Sequence, residues 1–225
     1  MKDANLDSFV QTLNYYLPIS LDSNGLVKLN KRNKLLHEIR GLDAKFTLAA
    51  FNGNSKGLQI VFALDSQSRK QARGYSAFAD DTIREFYKNL GKNFKEYMQI
   101  HILYFEEKPI AYEIGFFIGK TYFGSQMAYI SDYKQYSPGK VILAKVIDLI
   151  ASKGITMMNM GSGDSPVKKL VTEEKRVLYE VILSRNTFAK TYIKNLGKLK
   201  EQIYCQMHTN PKLYTFYRKV KKVVH

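Results

Sequence analysis

The 225-residue chain is 45% hydrophobic, with 16 Tyr and 13 Phe, which is enough apolar surface for one large domain with appendages and excludes widespread disorder. Its 35 Lys and Arg outnumber 20 Asp and Glu, for a net charge of +15, and more than half of that excess falls in residues 184–225, where ten basic residues face the single acid Glu201. One cysteine, Cys205, excludes an intramolecular disulfide framework, and four scattered histidines (His37, His101, His208 and His225) show no metal-ligand spacing, so no metal is expected.

The polar start, Met1-Lys2-Asp3-Ala4-Asn5-Leu6-Asp7, does not resemble a signal peptide. No uncharged apolar run approaches the roughly 18–20 residues of a membrane span. A soluble protein in a reducing, cytoplasmic compartment is expected, with the basic end as the one segment suited to the inner face of a membrane.

In chain order, residues 1–45 read as a helical segment. Asp7-Ser8 can cap a helix carrying Phe9, Val10, Leu13 and Tyr16 at helical spacing, ended by Pro18. A second helix carries Leu26, Leu29, Leu35, Leu36 and Ile39, interleaved with Lys31, Arg32, Lys34 and Arg40. Residues 46–185 then form the central α/β domain. Phe46–Phe51 and Leu58–Leu64 read as strands flanking the turn signal Asn52-Gly53-Asn54-Ser55-Lys56-Gly57.

An amphipathic helix follows over about Asp80–Met98, with Ile83, Phe86, Tyr87, Leu90 and Phe94 on one face. Ile100–Phe105, Ile110–Ile118 and Tyr122–Ile130 are three strands whose short connections force antiparallel neighbours. Ser137 as N-cap and Pro138 at the first helical position open a helix that runs to Lys153 and ends at Gly154. The strand Ile155–Met160 should lie parallel to the strand before that helix. The loop Gly161-Ser162-Gly163-Asp164-Ser165-Pro166 and a strand over Arg176–Ser184 follow. Residues 186–225 read as a basic helical tail. The order predicts a mixed, mostly antiparallel sheet with one crossover.

That crossover is where chemistry is expected. A helix N-terminus presents unpaired N–H groups and the positive end of a dipole, a natural phosphate site. Tyr136-Ser137-Pro138-Gly139-Lys140 supplies a hydroxyl, a glycine and a lysine there. Gly161, Gly163 and Asp164 with Lys168 form a second loop at the end of the neighbouring parallel strand, where ligands of α/β sheets bind.

The stretch from Tyr104 to Lys168 resembles the GNAT acyltransferase superfamily, in the bacterial branch named after a cellulose-biosynthesis protein. The matching pieces are Pro109-Ile110-Ala111, the strand end near Tyr129 and Asp132-Tyr133, the Tyr136-Ser137-Pro138-Gly139 helix entry, Gly154, and Asn159-Met160-Gly161-Ser162-Gly163-Asp164 followed by Lys168. Upstream, Ser66-x-Ser68-Arg69-Lys70 and the basic helix around Arg32 and Arg40 resemble that branch's linker and arginine-rich helix. Ser137-Pro138-Gly139 stands where the classical Arg/Gln-x-x-Gly-x-Gly/Ala pyrophosphate loop would be.

The resemblance implies a mixed α/β domain that binds acetyl-CoA or another acyl-CoA through Tyr136, Ser137, Pro138, Gly139 and Lys140, and acylates an amino sugar, a polysaccharide-linked amine or a small amine. Asp132 and Glu113 are then the candidate bases and Tyr129 or Tyr133 the candidate acid, with Gly161, Gly163, Asp164 and Lys168 on the acceptor side. Two other readings stand beside it: a FemAB-like transferase using aminoacyl-tRNA, and a non-catalytic GNAT-shaped protein docking on a membrane or polyanion. Outside the tail the chain lacks the aromatic-basic interleaving of dedicated nucleic-acid binding, so nucleic acid is not the expected partner.

Overall fold

The computed structural model describes residues 5–21, 23, 27, 45–163, 165–184 and 195. The second N-terminal helix, Asp164 and all of the basic tail but Asn195 lie outside the described residues. The side chains of residues 5–12 and 180–184 lie outside them too.

Seven strands form one sheet in the order β2-β3-β4-β5-β6-β1-β7. They are β1 (Asn5–Pro18), β2 (Phe46–Asn52), β3 (Met98–Phe105), β4 (Lys108–Ile118), β5 (Thr121–Tyr129), β6 (Met157–Ser162) and β7 (Lys175–Ser184). Only β5 and β6 run parallel; every other neighbouring pair is antiparallel. The helices are α1 (Ser55–Ser66), α2 (Arg69–Ala72), α3 (Asp81–Asn93), α4 (Pro138–Ser152) and α5 (Pro166–Val171). The expected mixed α/β architecture is the one observed, with α4 as the crossover between the parallel strands.

Two expectations are corrected. Residues 7–17 form not a helix but part of β1, which lies between β6 and β7 and pairs with both. Its aromatic and β-branched residues favour a strand, and Tyr15, Leu17 and Ile19 are buried at a period of two. Two neighbouring strands satisfy its backbone on both sides, which outweighs a loose helical spacing. Leu58–Leu64, in turn, is not a strand but lies within α1. Asn54 caps that helix by accepting the Gly57 N–H at 2.7 Å. Leu58, Val61 and Leu64 are buried at helical spacing, while Gln59 and Ala63 face solvent.

The sheet centre is covered on both sides. On one face α4 buries Val141, Ile142, Val146, Ile147 and Ile150 against Leu103, Ile110, Ala111, Tyr122 and Met158. On the other, Leu58, Val61 and Leu64 of α1 and Tyr87 of α3 cover Ile100, Ile102, Tyr112 and Ile114. β3 and β4 are therefore near-continuous apolar runs, as strands buried on both faces must be. A polar residue inside such a run stands out, and β4 has one at Glu113. Among the described residues no helix is long and apolar enough to cross a membrane.

Candidate active site

The parallel pairing of β5 with β6 is short. Thr121, Tyr122 and Phe123 pair with Met157, Met158 and Asn159, and the ladder stops there. Beyond that point β5 stays with β4 as far as Ala111 and Tyr129, while β6 stays with β1. A local irregularity parts them. Gly115 pairs with Gly124 and Ile114 with Gln126, so Ser125 is an extra, bulged residue in β5. Its hydroxyl bonds the Tyr87 hydroxyl on α3 at 2.7 Å. On β6, the Asn159 side chain accepts the Gly161 N–H at 2.9 Å, and Gly161 takes a positive φ of 75°. The result is a wedge-shaped gap between the C-terminal halves of the two strands, the position where open α/β sheets take ligands.

The start of α4 stands at the wide end of this gap. Ser137 is its N-cap, as expected, but in a left-handed conformation (φ 52°, ψ 48°) and with no capping bond from its side chain. A non-glycine residue held at positive φ is strained, and such strain gathers at ligand clamps and turns. Pro138 occupies the first helical position, and Pro138 and Gly139 are buried. A Cβ on Gly139 would meet the Tyr129 ring at 3.6 Å, so the glycine faces an aromatic ring. The Tyr129 hydroxyl accepts from Arg69 at 3.2 Å. Ser68 is buried, caps α2 by accepting the Gln71 N–H, and bridges to Ile130, which sets Arg69 beside the end of β5. The preceding turn is anchored by buried Asp65, which accepts from Tyr112 at 2.6 Å and from Ser76. Burial and the neighbouring Asp65 carboxylate both drive the Tyr112 phenol well above its ordinary pKa.

The narrow end is polar. Glu113 is 3% exposed and His101 fully buried. Tyr122 donates to Glu113 Oε2 at 2.5 Å, and His101 Nδ1 lies 2.8 Å from the same oxygen. Among the described residues, Glu113 Oε1 and His101 Nε2 have no hydrogen-bond partner. Burial, then the Glu113 charge and hydrogen bond, hold the Tyr122 phenol well above its usual pKa. Glycine makes the cluster possible, because a Cβ on Gly115 would lie 2.3 Å from Cζ and Oη of Tyr122. Glu113 faces Gly124: a Cβ there would meet Glu113 Oε1 at 3.5 Å and the Asn159 carbonyl at 3.6 Å.

The other residues singled out by sequence are spread around this frame. Lys168 donates to the carbonyls of Gly161, Ser162 and Gly163 at 2.9, 2.8 and 3.0 Å, so it clamps the glycine loop. Tyr136 stacks on Phe105 with centroids 4.7 Å apart, and Tyr133 meets the same ring edge-on. Asp132 is exposed and lines a groove of about 420 Å³ with Ile60, Leu64, Lys108, Pro109 and Ile130, over the α1 face of the sheet. Glu113 and the loop therefore share one end of the gap, while Tyr129, Gly139 and Arg69 share the other. Sequence reasoning missed His101, Tyr122, Gly115 and Gly124. The available signal was a carboxylate inside the apolar run Ile110-Ala111-Tyr112-Glu113-Ile114, which demands buried partners. Among the described residues no group of three or more His, Cys, Asp or Glu is placed to hold a metal ion.

Comparison with proteins of curated function returns no match by sequence. Solved structures share the fold. L-PGS from Bacillus licheniformis superposes with a TM-score of 0.57 at 14% identity, over 84% of this chain and 65% of that one. The DUF2156 C-terminal domain of a protein assigned as a lysylphosphatidylglycerol synthetase from Agrobacterium fabrum gives 0.52 at 11%, over 70% and 48%. FemX gives 0.53 at 9%, over 70% and 55%. The chain thus spans about half to two thirds of the length of these structures. At the level of sequence the model of one family matches residues 30–169, more than half of the chain, and the protein belongs to that family, the acetyltransferase (GNAT) domain.

Proposed function

We propose that this protein is an N-acyltransferase that takes an acyl group from acyl-coenzyme A and places it on an amine of an amino sugar, a polysaccharide or a small molecule. The observation that carries this reading is the gap between β5 and β6, which opens directly onto the N-terminus of α4. Among the described residues the β5 edge beyond Phe123 has no ladder partner on the β6 side, an edge that an amide-bearing arm could pair with. The dipole at the start of α4 favours phosphate, and Arg69 and Lys140 add positive charge. The residues present therefore fit coenzyme A, whose thioester would supply the acyl group in activated form. Ser137, Pro138, Gly139 and Lys140 would hold its phosphates, with Tyr136 and Tyr129 bracing the helix entry.

Within this reading the chain's own work is alignment. Holding an amine against a carbonyl in a fixed geometry removes much of the entropic barrier. Asp164, next in sequence to the Gly161–Gly163 stretch that Lys168 clamps, is the carboxylate assigned to the acceptor. Glu113 at the closed end of the gap and Asp132 beside the α1 face are the candidate bases for the acceptor's proton, and Tyr129 is the candidate acid.

Thermal-shift measurements with acetyl-CoA, longer acyl-CoAs and aminoacyl-tRNA test the donor. A ligand at 100 times its Kd stabilises by about 2.7 kcal/mol, which in a chain this long raises Tm by roughly 5–10 °C. Gly139→Leu should abolish the shift with acyl-CoA while the protein stays folded, because the added side chain drives Tyr129 out of place. No shift with any acyl-CoA would sink the reading. A second donor, an aminoacyl ester of tRNA, is favoured by the likeness to FemX and to a lysylphosphatidylglycerol synthetase; a shift with aminoacyl-tRNA alone would establish it.

A further inference from the structure

The sheet ends on one side at β2, and among the described residues no strand pairs with its outer edge. The Glu106 N–H donates to the Lys45 carbonyl at 3.1 Å, and the Gly53 N–H to that of Met98 at 3.0 Å. Positions along an antiparallel strand alternate between bonded and unbonded pairs. The odd positions therefore turn to β3, and Phe46, Leu48 and Ala50 turn their N–H and C=O groups outward. Such a row is a template for another strand, and proteins commonly blunt it with charge, proline or a bulge. β2 has none of these: Phe46-Thr47-Leu48-Ala49-Ala50-Phe51-Asn52 is uncharged, lacks proline and pairs with β3 in one unbroken register. The opposite edge strand, β7, carries Lys175, Arg176 and Glu180. A groove of about 320 Å³ runs beside the β2 edge, lined by Thr47, Leu48, Ala49, Tyr104 and Glu107.

We infer that β2 pairs antiparallel with β2 of a second copy of this chain, about a two-fold axis at Ala49, joining the two sheets. The strand is complementary to itself in that register. Leu48 faces Ala50 of the second copy and Phe46 faces its Asn52, so residues with outward backbone groups meet and exchange N–H···O=C bonds. Ala49 faces the same residue of the second copy in an unbonded pair, where Cα atoms approach to about 4.5 Å and a small side chain fits best. The charges at the two ends match as well. Glu107 stands at the Phe46 end, beside Glu106, which Lys45 engages at 2.8 Å. At the Asn52 end are exposed Lys56, in the first turn of α1, and exposed Lys95, whose carbonyl accepts from Gly53. Antiparallel pairing sets the Glu107 end of each copy against the Lys56 and Lys95 end of the other. β3 and β4 separate this edge from β5, so the gap between β5 and β6 lies apart from the pairing in each copy.

Sedimentation equilibrium of the full chain is the test, with circular dichroism confirming the fold of each variant. The parent should form a two-chain species with a Kd of roughly 1–100 µM, the weak range of a small interface. Ala50→Pro removes an outward N–H from each copy and no bond to β3, and should raise Kd roughly tenfold or more. Ala49→Lys and Ala49→Glu each set like charges against one another on the axis and should each give single chains. An equimolar mixture of the two should restore the two-chain species. Only the register about Ala49 brings that residue against itself, so restoration in the mixture identifies the interface even if Ala50→Pro fails to fold. A single-chain mass at every concentration up to roughly 500 µM overturns the inference. A two-chain species that persists in both Ala49 variants, or that fails to re-form when the folded variants are mixed, overturns it as well.

Discussion

Gly115→Ala is the sharpest test of the closed end of the gap. The new methyl would sit 2.3 Å from Cζ and Oη of Tyr122 and 2.8 Å from the Phe123 carbonyl oxygen. No side-chain Cβ tolerates such contacts, so the ring must leave. Overpacking of this kind costs about 1–3 kcal/mol. Losing the Tyr122 bond to a buried carboxylate adds about 1.5–3 kcal/mol. The sum is about 4 kcal/mol, and each kcal/mol lowers Tm by about 2–4 °C in a protein of this length. Thermal unfolding followed by circular dichroism should therefore show a fall of roughly 8–16 °C. In a Tyr122→Leu background the same change should cost at least about 1 kcal/mol less, because the ring it strikes is gone. A Gly115→Ala protein melting within about 2 °C of the parent would mean that Tyr122 does not lie over Gly115. The reasoning about Glu113 would then fail with it.

Lys168→Met keeps length and apolar volume but removes the donor that clamps Gly161, Ser162 and Gly163. Amide hydrogen exchange in residues 161–163 should accelerate and Tm should fall by about 3–6 °C, from a loss near 1.5 kcal/mol; unchanged exchange would show the clamp to be dispensable. Alkaline stability has a definite sign. Tyr112 and Tyr122 both have raised pKa values, first through burial and then through Asp65 and Glu113. Their contribution is complete below about pH 10, the unfolded value, and is lost above it, at up to about 1.4 kcal/mol per pH unit for each. Burial lowers the Lys70 pKa and acts in the opposite sense only below its ordinary value, about 10.4. Denaturant unfolding between pH 10.5 and 11.5 should therefore show falling stability, with a shallower slope in Tyr122→Phe; an equally steep slope in that variant would deny Tyr122 its part.

What the sequence disclosed depended on how local the signal was. The three hairpin strands, the Ser137-Pro138 helix entry and the Gly154 stop are written in residues a few positions apart, and all are found in the structure. The two corrected elements depended on distant partners. β1 is a strand because β6 and β7, more than 130 residues away in sequence, offer it two edges. Within Leu58–Leu64, a short apolar run reads equally as strand or helix, and what separates the two is which of its residues the sheet buries. The candidate site divides in the same way. Its helix entry and glycine loop are short motifs, whereas its closed end is assembled from β3, β4 and β5, one polar residue from each.

That assembly is more than stability alone requires. A core that needed only stability could fill the positions of His101, Glu113 and Tyr122 with apolar side chains of similar volume, since replacing a buried charged network in that way is often neutral or stabilising. Here the sheet instead gives up a side chain at Gly115 to make room for the cluster, and among the described residues still leaves one carboxylate oxygen unpaired. Gly115 and Gly124 cannot be explained by turns, because both lie within paired strands, where glycine costs about 0.5–1 kcal/mol relative to alanine. Gly115 is explained by the phenol it admits. Gly124 lies beside the bulged Ser125, and a Cβ there would meet Glu113 Oε1, the Asn159 carbonyl and the Met158 methyl at 3.5, 3.6 and 3.7 Å, ordinary contact distances.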